Sequence, residues 1–178
     1  DGLRDISNLL IRLDPLILRT FRQASAIYAK TEQSKAVILS RFSSKVKVQL
    51  EIGIKPPIAQ NNYCKETATF STFRVLYVGR FLYWKGMHLG LPAFANLVSK
   101  YPDARLTMVG KGPDETRWRK IAESLGISEQ IDWIPWVDKS ELTSIYGNHD
   151  VMLFPSLHDS SGNVVLESLS HGLPIVCL

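Results

Sequence analysis

A regular alternation of short apolar segments and amphipathic segments, beginning at Phe73, constrains the fold of this chain most strongly. The apolar segments have the length of strands, and several run directly into Gly or Pro, as in "FRVLYVG" and "DVMLFP". The segments between them space their apolar residues as helices do. Strands that alternate with helices through short connections form parallel sheets, so we predict an α/β class with a doubly wound parallel sheet. The predicted strands lie in residues 73–81, 104–113, 131–137, 150–156 and 174–178, and the predicted helices in 87–102, 114–127, 138–149 and 161–172.

The first part of the chain follows the same rhythm less completely. Asp14-Pro15 predicts a helix start, because Asp caps free backbone N–H groups and Pro fits the first helical position. A short buried strand follows in "ASAIYAKT", and a second helix is predicted from its cap at Thr31 towards Phe42. The segment "KVKVQLEIGI" then alternates as a half-buried strand does. A Pro pair and many polar residues come next, so we expect an incomplete domain in residues 1–54, a linker in 55–72 and a second domain in 73–178.

The basic charge of the chain belongs to its first part. The 178 residues carry a formal net charge of +4. Residues 1–72 hold 11 Lys and Arg against 6 Asp and Glu, whereas residues 73–178 hold 10 against 11. The basic residues are scattered singly, which indicates a solvated face rather than a nucleic-acid site. The same excess would suit a peripheral position at the inner face of a membrane.

Cysteine use and hydropathy argue against metal sites and membrane spans. Cys64 and Cys177 lie far apart without the spacing of metal ligands, which predicts reduced thiols in a cytoplasmic protein. No apolar run approaches the roughly 18 residues of a membrane span. The chain starts without Met and without a signal peptide, so we interpret it as a piece of a longer protein.

Ligands of open parallel sheets bind at the carboxyl ends of the strands, so the residues after each predicted strand form the candidate site. These loops contain cations, glycines and carboxylates, and we expect them to meet at one edge of the sheet. In chain order the candidates are Gly79, Arg80, Lys85, Gly110, Pro135, Trp136, Val137, Asp159, Ser161, Gly162, Asn163, Val164 and Glu167. His171 is interpreted as an ordinary helix position.

The chemistry of these residues favours a diphosphate flanked by hydroxylated rings. Arg80 and Lys85 are cations suited to a diphosphate, Arg through its planar fork and Lys as a point charge. The helix that starts near Gly162 offers free N–H groups and the positive end of its dipole. The carboxylates of Asp159 and Glu167 can accept hydrogen bonds from sugar hydroxyls. Each residue alone is ordinary, and their order and placement together carry the hypothesis.

Four segments resemble the retaining glycosyltransferases of the GT-B fold, family 4. "GRFLYWKG" resembles the GR…KG segment of that family, and "LTMVGKGP" resembles its strand and G-x-G-P turn. "IDWIPWVDKSEL" is similar to its strand, turn and Glu-Leu helix, and "DVMLFPSLHDSSGNVVLESLSHGLPIV" to its signature of two acids separated by seven residues. The resemblance covers residues 73–178, and more loosely residues 15–54. It implies a Rossmann-like donor-binding domain preceded by a piece of an acceptor-side domain.

The resemblance also implies a reaction and the roles of single residues. The family transfers a hexosyl group from a nucleoside diphosphate sugar with retention of configuration, without a cofactor or an obligatory metal. Arg80 and Lys85 would bind the diphosphate and steady its departure, and Asp159 would face the hexose. Glu167 would bind the ribose hydroxyls.

Further contacts of the donor follow from the same resemblance. Gly79 and Gly110 would border the donor site. Backbone N–H groups of Gly162 to Val164 would contact the phosphates or the sugar, and the loop from Pro135 to Val137 would contact the base. The expected donor is a UDP- or GDP-sugar, and the acceptor is a saccharide or a lipid-linked molecule of polysaccharide biosynthesis.

Three positions depart from the pattern of the family. Asp159 stands where Glu is common, Ser161 where Phe often precedes the glycine, and Pro135 where a Gly turn is usual. Two alternatives therefore stay open: a nucleotide-sugar epimerase of the same fold, and a degenerate domain that binds a nucleotide sugar or a partner without catalysis. A NAD-binding domain fits less well, because no G-x-G-x-x-G follows the first strand. We expect the isolated chain to bind the donor without transferring sugar.

Overall fold

The structure is a computed structural model that describes residues 14–49, 72–159 and 162–178. The chain divides into two compact units, residues 1–52 and residues 53–178. The linker predicted at residues 55–72 lies outside the described residues except for Thr72, so its bounds stay a prediction.

The described part of the first unit is an αβαβ segment. Helix α1 (Pro15–Gln23) starts at Asp14, whose side chain accepts hydrogen bonds from the backbone N–H groups of Leu16 and Ile17. Strand β1 (Ile27–Ala29) and strand β2 (Val46–Val48) pair in parallel, with Ile27 opposite Val46. The predicted helix start at Asp14-Pro15 and the two predicted strands are confirmed within these bounds.

The helix predicted from Thr31 to Phe42 is wrong in its length. Helix α2 (Glu32–Val37) ends early, and the chain continues in a 3₁₀ helix (Ser40–Lys45). The β-branched pair Val37-Ile38 weakens helix propensity at this point. Phe42 is buried in the 3₁₀ helix, and its ring meets that of Phe21 edge-on at 5.6 Å. Burial of an aromatic ring therefore decides the conformation here, which local propensity does not reveal.

The second unit is built on a five-stranded parallel sheet, whose strands lie in the order 3-2-1-4-5 when they are numbered from the start of this unit. The register places Val75 of the central strand opposite Leu106 on one side and Val151 on the other. Every strand and helix predicted in residues 73–178 is present, with shorter bounds for the strands. The strands are β3 (Arg74–Val78), β4 (Arg105–Val109), β5 (Ile131–Ile134), β6 (Val151–Phe154) and β7 (Ile175–Cys177).

Helices cover both faces of this sheet. Val75 and Tyr77 of β3 join one core with the helices that follow β3 and β4, whereas Leu76 and Val78 join a second core with the helices that follow β5 and β6. This alternation is what a central strand buried on both faces requires. The doubly wound class predicted from the sequence is thereby confirmed. The helices are α3 (Met87–Lys100), α4 (Glu115–Ser124), α5 (Lys139–Gly147) and α6 (Asn163–Ser170).

The strand order creates a reversal point beside the central strand. The chain proceeds outward from β3 through β4 to β5, and then returns to the other side of β3 as β6. Connections on the two sides of β3 therefore diverge above its carboxyl end, which is where ligands of such sheets bind. Gly79 begins the first of these loops and Pro155 the second.

Candidate functional site

The loops after β3 and β6 are in direct contact. Gly86 closes the 3₁₀ helix Tyr83–Lys85 with a φ of +74°, and a Cβ built there would lie 1.7 Å from the carbonyl oxygen of Pro155. Only glycine fits both the backbone conformation and this close approach. The N–H of Leu157 donates to the carbonyl of Trp84 at 2.9 Å. The two loops are thus joined above the carboxyl end of the central strand.

This contact brings Lys85 and Asp159 together, although 74 residues separate them in sequence. The Lys85 ammonium forms an ion pair with Oδ2 of Asp159, and each side chain is 19% exposed. The other carboxylate oxygen, Oδ1, accepts a hydrogen bond from the N–H of Gly162 at 2.9 Å. One carboxylate therefore links the loop after β3 to the start of α6.

Arg80 lies on the same edge with an exposed side chain. Its backbone carbonyl accepts a hydrogen bond from the Tyr77 hydroxyl at 3.1 Å. Burial, and then the negative charge of Asp159, raises the pKa of Tyr77 well above its ordinary value. The phenol consequently stays protonated and fixes the backbone beneath Arg80, while the guanidinium is left towards solvent.

The start of α6 lies at the same edge of the sheet, because the N–H of Gly162 donates to Asp159. Gly162 is the N-cap and offers no side-chain capping hydrogen bond of its own. The first N–H groups of a helix have no intrahelical partner, so those of Asn163 and Val164 are suited to an anion. Ser161 lies outside the described residues.

Glu167 lies about one turn inside α6, and Tyr146 of α5 holds its carboxylate. The Tyr146 hydroxyl donates to Oε2 of Glu167 at 3.2 Å. Burial, and then the charge of Glu167 and the hydrogen bond to it, raises the pKa of Tyr146 well above its ordinary value. The two helices border a pocket that Lys139, Leu142 and His171 also line.

The loops after β4 and β5 complete the edge. A Cβ on Gly110 would lie 2.0 Å from the carbonyl oxygen of Gly79, so the two glycines allow their loops to pack closely. After β5, Pro135 and Trp136 are exposed, whereas Val137 packs against the second core. The contact of this loop with a base stays a prediction.

Metal-ligand clusters and membrane-spanning helices are absent from the described residues. Among them, no group of three or more His, Cys, Asp or Glu side chains is placed to hold a metal ion. No helix in the described ranges is long and apolar enough to cross a membrane.

Comparison with known proteins identifies the family. The sequence pattern of the family described as "Glycosyl transferases group 1" matches residues 65–178. The chain belongs to the group 1 glycosyltransferases. D-inositol 3-phosphate glycosyltransferase of Corynebacterium urealyticum is 36% identical over 107 residues, which cover 56% of this chain and 25% of that protein. This group 1 chain thus spans about a quarter of the length of that curated relative.

Solved glycosyltransferases share the fold of this group 1 chain. WaaG, a glycosyltransferase involved in lipopolysaccharide biosynthesis, superposes with a TM-score of 0.66 at 21% identity, covering 94% of this chain and 50% of WaaG. Anabaena HepE in complex with UDP-glucose gives a TM-score of 0.64 at 19% identity, covering 86% of this chain and 44% of HepE. These likenesses support a fold of the GT-B type.

The structure places the residues predicted from the sequence in two groups. Asp159 contacts both Lys85 and Gly162, and Arg80 lies on the same edge. Glu167 is held separately by Tyr146, which sequence reasoning missed. Leu142 and Tyr146 are four residues apart, as in the buried stripe of a helix, so the pattern indicates core. The Tyr146 hydroxyl could have indicated a role in the site, because a buried phenol needs a hydrogen-bond partner.

Proposed function

We propose that the protein transfers a hexosyl group from a nucleoside diphosphate sugar to an acceptor with retention of configuration, and that this part of it binds the donor. One observation supports this proposal most strongly. Lys85, Asp159 and the start of α6 meet at the point where the strand order of the sheet reverses. A cation, a carboxylate and free helix amides at that point match the parts of a sugar diphosphate.

The diphosphate would bind to Arg80 and Lys85. In the absence of a nucleotide sugar, Lys85 is paired with Asp159. The diphosphate of an incoming nucleotide sugar therefore competes with the Asp159 carboxylate for the Lys85 ammonium. An ammonium has three donor hydrogens, which allows Lys85 to contact a phosphate while it still orients the carboxylate. As the bond to the sugar breaks, negative charge grows on the departing diphosphate. Arg80, Lys85 and the dipole of α6 stabilise that charge, so no metal ion is needed for this step.

The sugar and the nucleoside would lie on either side of the diphosphate. Asp159, fixed by Gly162 and Lys85, accepts hydrogen bonds from hexose hydroxyls. Glu167 accepts those of the ribose, and the exposed Trp136 beside Pro135 and Val137 borders the base. The UDP-glucose complex of HepE, which has the same fold, supports a UDP-sugar as the first donor to test.

The acceptor and the transfer itself would depend on parts of the protein beyond this chain. The chain corresponds to about a quarter of its curated relative. We therefore expect donor binding, and no sugar transfer, from the 178 residues alone. Saccharides and lipid-linked saccharides are the proposed acceptors, because WaaG acts in lipopolysaccharide biosynthesis.

A nucleotide-sugar panel tests the proposal. UDP-, GDP- and ADP-sugars are titrated into the 178-residue chain and followed by ligand-observed NMR and by thermal shift. Binding of at least one nucleotide sugar is expected at millimolar concentration. Arg80→Ala should weaken it about tenfold, as loss of a charged hydrogen bond does. The matched control is Lys100→Ala, which removes an exposed cation at the end of α3. Absence of binding by a folded sample, or equal affinity of the Arg80 variant and the wild type, would refute the assignment.

A further inference from the structure

Two stacked aromatic side chains hold Glu167 from both sides. The Tyr146 hydroxyl donates to Oε2 of its carboxylate at 3.2 Å, and the ring of Tyr146 stacks on that of His171 at 5.0 Å and 24°. Nδ1 of His171 lies 2.8 Å from the backbone carbonyl of Glu167. A carbonyl only accepts, so this nitrogen is the donor. The side chain and the backbone of Glu167 are thus bound to one stacked pair.

This arrangement fixes which part of the carboxylate can receive a ligand. A carboxylate has two oxygens and about four acceptor positions. The Tyr146 hydroxyl occupies one position on Oε2 and thereby restrains the orientation of the group. Since its pKa is raised, the phenol is a permanent donor and does not compete as an anion. The remaining acceptor positions are therefore oriented before a ligand arrives, as two neighbouring hydroxyls of a ribose require.

We propose that Tyr146 is a positioning residue that makes this site select ribose over 2′-deoxyribose, acting through Glu167. The inference rests on the proposed function, in which Glu167 accepts the ribose hydroxyls. His171 supports it by stacking on the Tyr146 ring and by bonding the Glu167 carbonyl. If Tyr146 only filled space, its ring would suffice and the hydroxyl would not matter to the choice of sugar.

The test compares two ligands and two variants. UDP and 2′-deoxy-UDP, or the corresponding pair for the base that the panel selects, are titrated into the 178-residue chain by NMR. The wild type should prefer the ribonucleotide about tenfold, because the deoxy form leaves an acceptor of Glu167 unused. Tyr146→Phe keeps the ring and its stacking and removes one hydroxyl. Its preference should fall to about twofold or less. Tyr101→Phe makes the same change at an exposed Tyr after α3 and should retain the wild-type preference.

The outcomes separate this inference from the proposed function. Equal weakening of both ligands by Tyr146→Phe, with the preference unchanged, indicates a structural role only and overturns the inference. Failure of the wild type to bind any nucleoside diphosphate refutes the proposed function itself. If the wild type binds the ribonucleotide and the deoxyribonucleotide equally, Glu167 does not select ribose, and the inference is wrong.

A second measurement does not depend on the stability of the Tyr146 variant. 3-Fluorotyrosine is incorporated into the wild-type chain, and the ¹⁹F signal at position 146 is followed during both titrations. The ribonucleotide should shift this signal distinctly more than the deoxy form at equal saturation. Equal shifts would contradict the inference.

Discussion

Gly86→Ala perturbs the junction between the two loops most specifically. The new Cβ would lie 1.7 Å from the Pro155 carbonyl oxygen, and the residue would keep a φ of +74°. The left-handed conformation alone costs a non-glycine residue about 1–2 kcal/mol. The backbone overlap cannot be relieved by a side-chain rotation, so the loops must separate and lose the hydrogen bond from Leu157 to Trp84. That adds about 1–2 kcal/mol, for a total loss of about 2–4 kcal/mol in the free energy of unfolding.

Gly126→Ala is the matched control. Gly126 has a φ of +69°, and a Cβ there meets nothing within 4 Å. This variant therefore carries the conformational strain, about 1–2 kcal/mol, without the overlap. The gain from a less flexible unfolded chain is common to both variants and cancels in their difference.

Urea unfolding followed by circular dichroism measures both free energies, and nucleotide titration measures the effect on binding. We expect Gly86→Ala to be less stable than Gly126→Ala and to bind UDP-glucose at least tenfold more weakly, since Lys85 and Asp159 move apart. If the two variants lose the same stability and bind alike, the loop contact does not organise the site.

The remaining predictions concern the ion pair, the core and a helix cap. Lys85→Ala should weaken UDP-glucose binding about tenfold by titration, whereas Lys100→Ala should not; equal affinities would exclude Lys85 from the site. Leu76→Ala removes a fully buried side chain of the central strand and should lower the free energy of unfolding by about 2–5 kcal/mol in urea, and a loss below about 1 kcal/mol would contradict its core position. Asp138 caps α5 by accepting from the Glu141 N–H, which holds the pKa of Asp138 below its ordinary value. Because the folded-state pKa of Asp138 is lowered, the stabilisation by the cap is fully present above the ordinary pKa of Asp, about 4. It is lost as the pH falls through the lower folded-state pKa. The melting temperature of Asp138→Ala should therefore lie below that of the wild type at pH 7 and approach it at pH 3, and a constant gap would argue against the cap.

Sequence patterns were sufficient to predict the fold of the second unit, because the composition of its strands indicates which of them are buried. Both faces of β3 are apolar and the apolar run ends at Gly79, so the strand and its end follow from local composition. Because the strands are parallel, their carboxyl ends lie at one edge of the sheet, which places the loops of Lys85 and Asp159 near each other.

Other features depend on contacts that no local pattern encodes. The pairing of Lys85 with Asp159 depends on the close approach of Gly86 to Pro155, across separate loops. The hydrogen bond from Tyr146 to Glu167 joins two residues on different helices that are 21 positions apart in sequence. The early end of α2 depends in part on its own residues Val37-Ile38, and in part on the burial of Phe42 against the distant ring of Phe21.

Amide chemical-shift mapping with UDP-glucose tests the central claim most directly. If the edge above the carboxyl end of β3 binds the donor, the largest shifts should fall in the loop from Gly79 to Gly86 and at the start of α6, from Gly162 to Val164. Residues at the opposite edge, such as Tyr101 to Ala104 before β4, should stay unchanged. Shifts confined to that opposite edge, or none at saturating donor, would contradict the assignment of this family member's donor site.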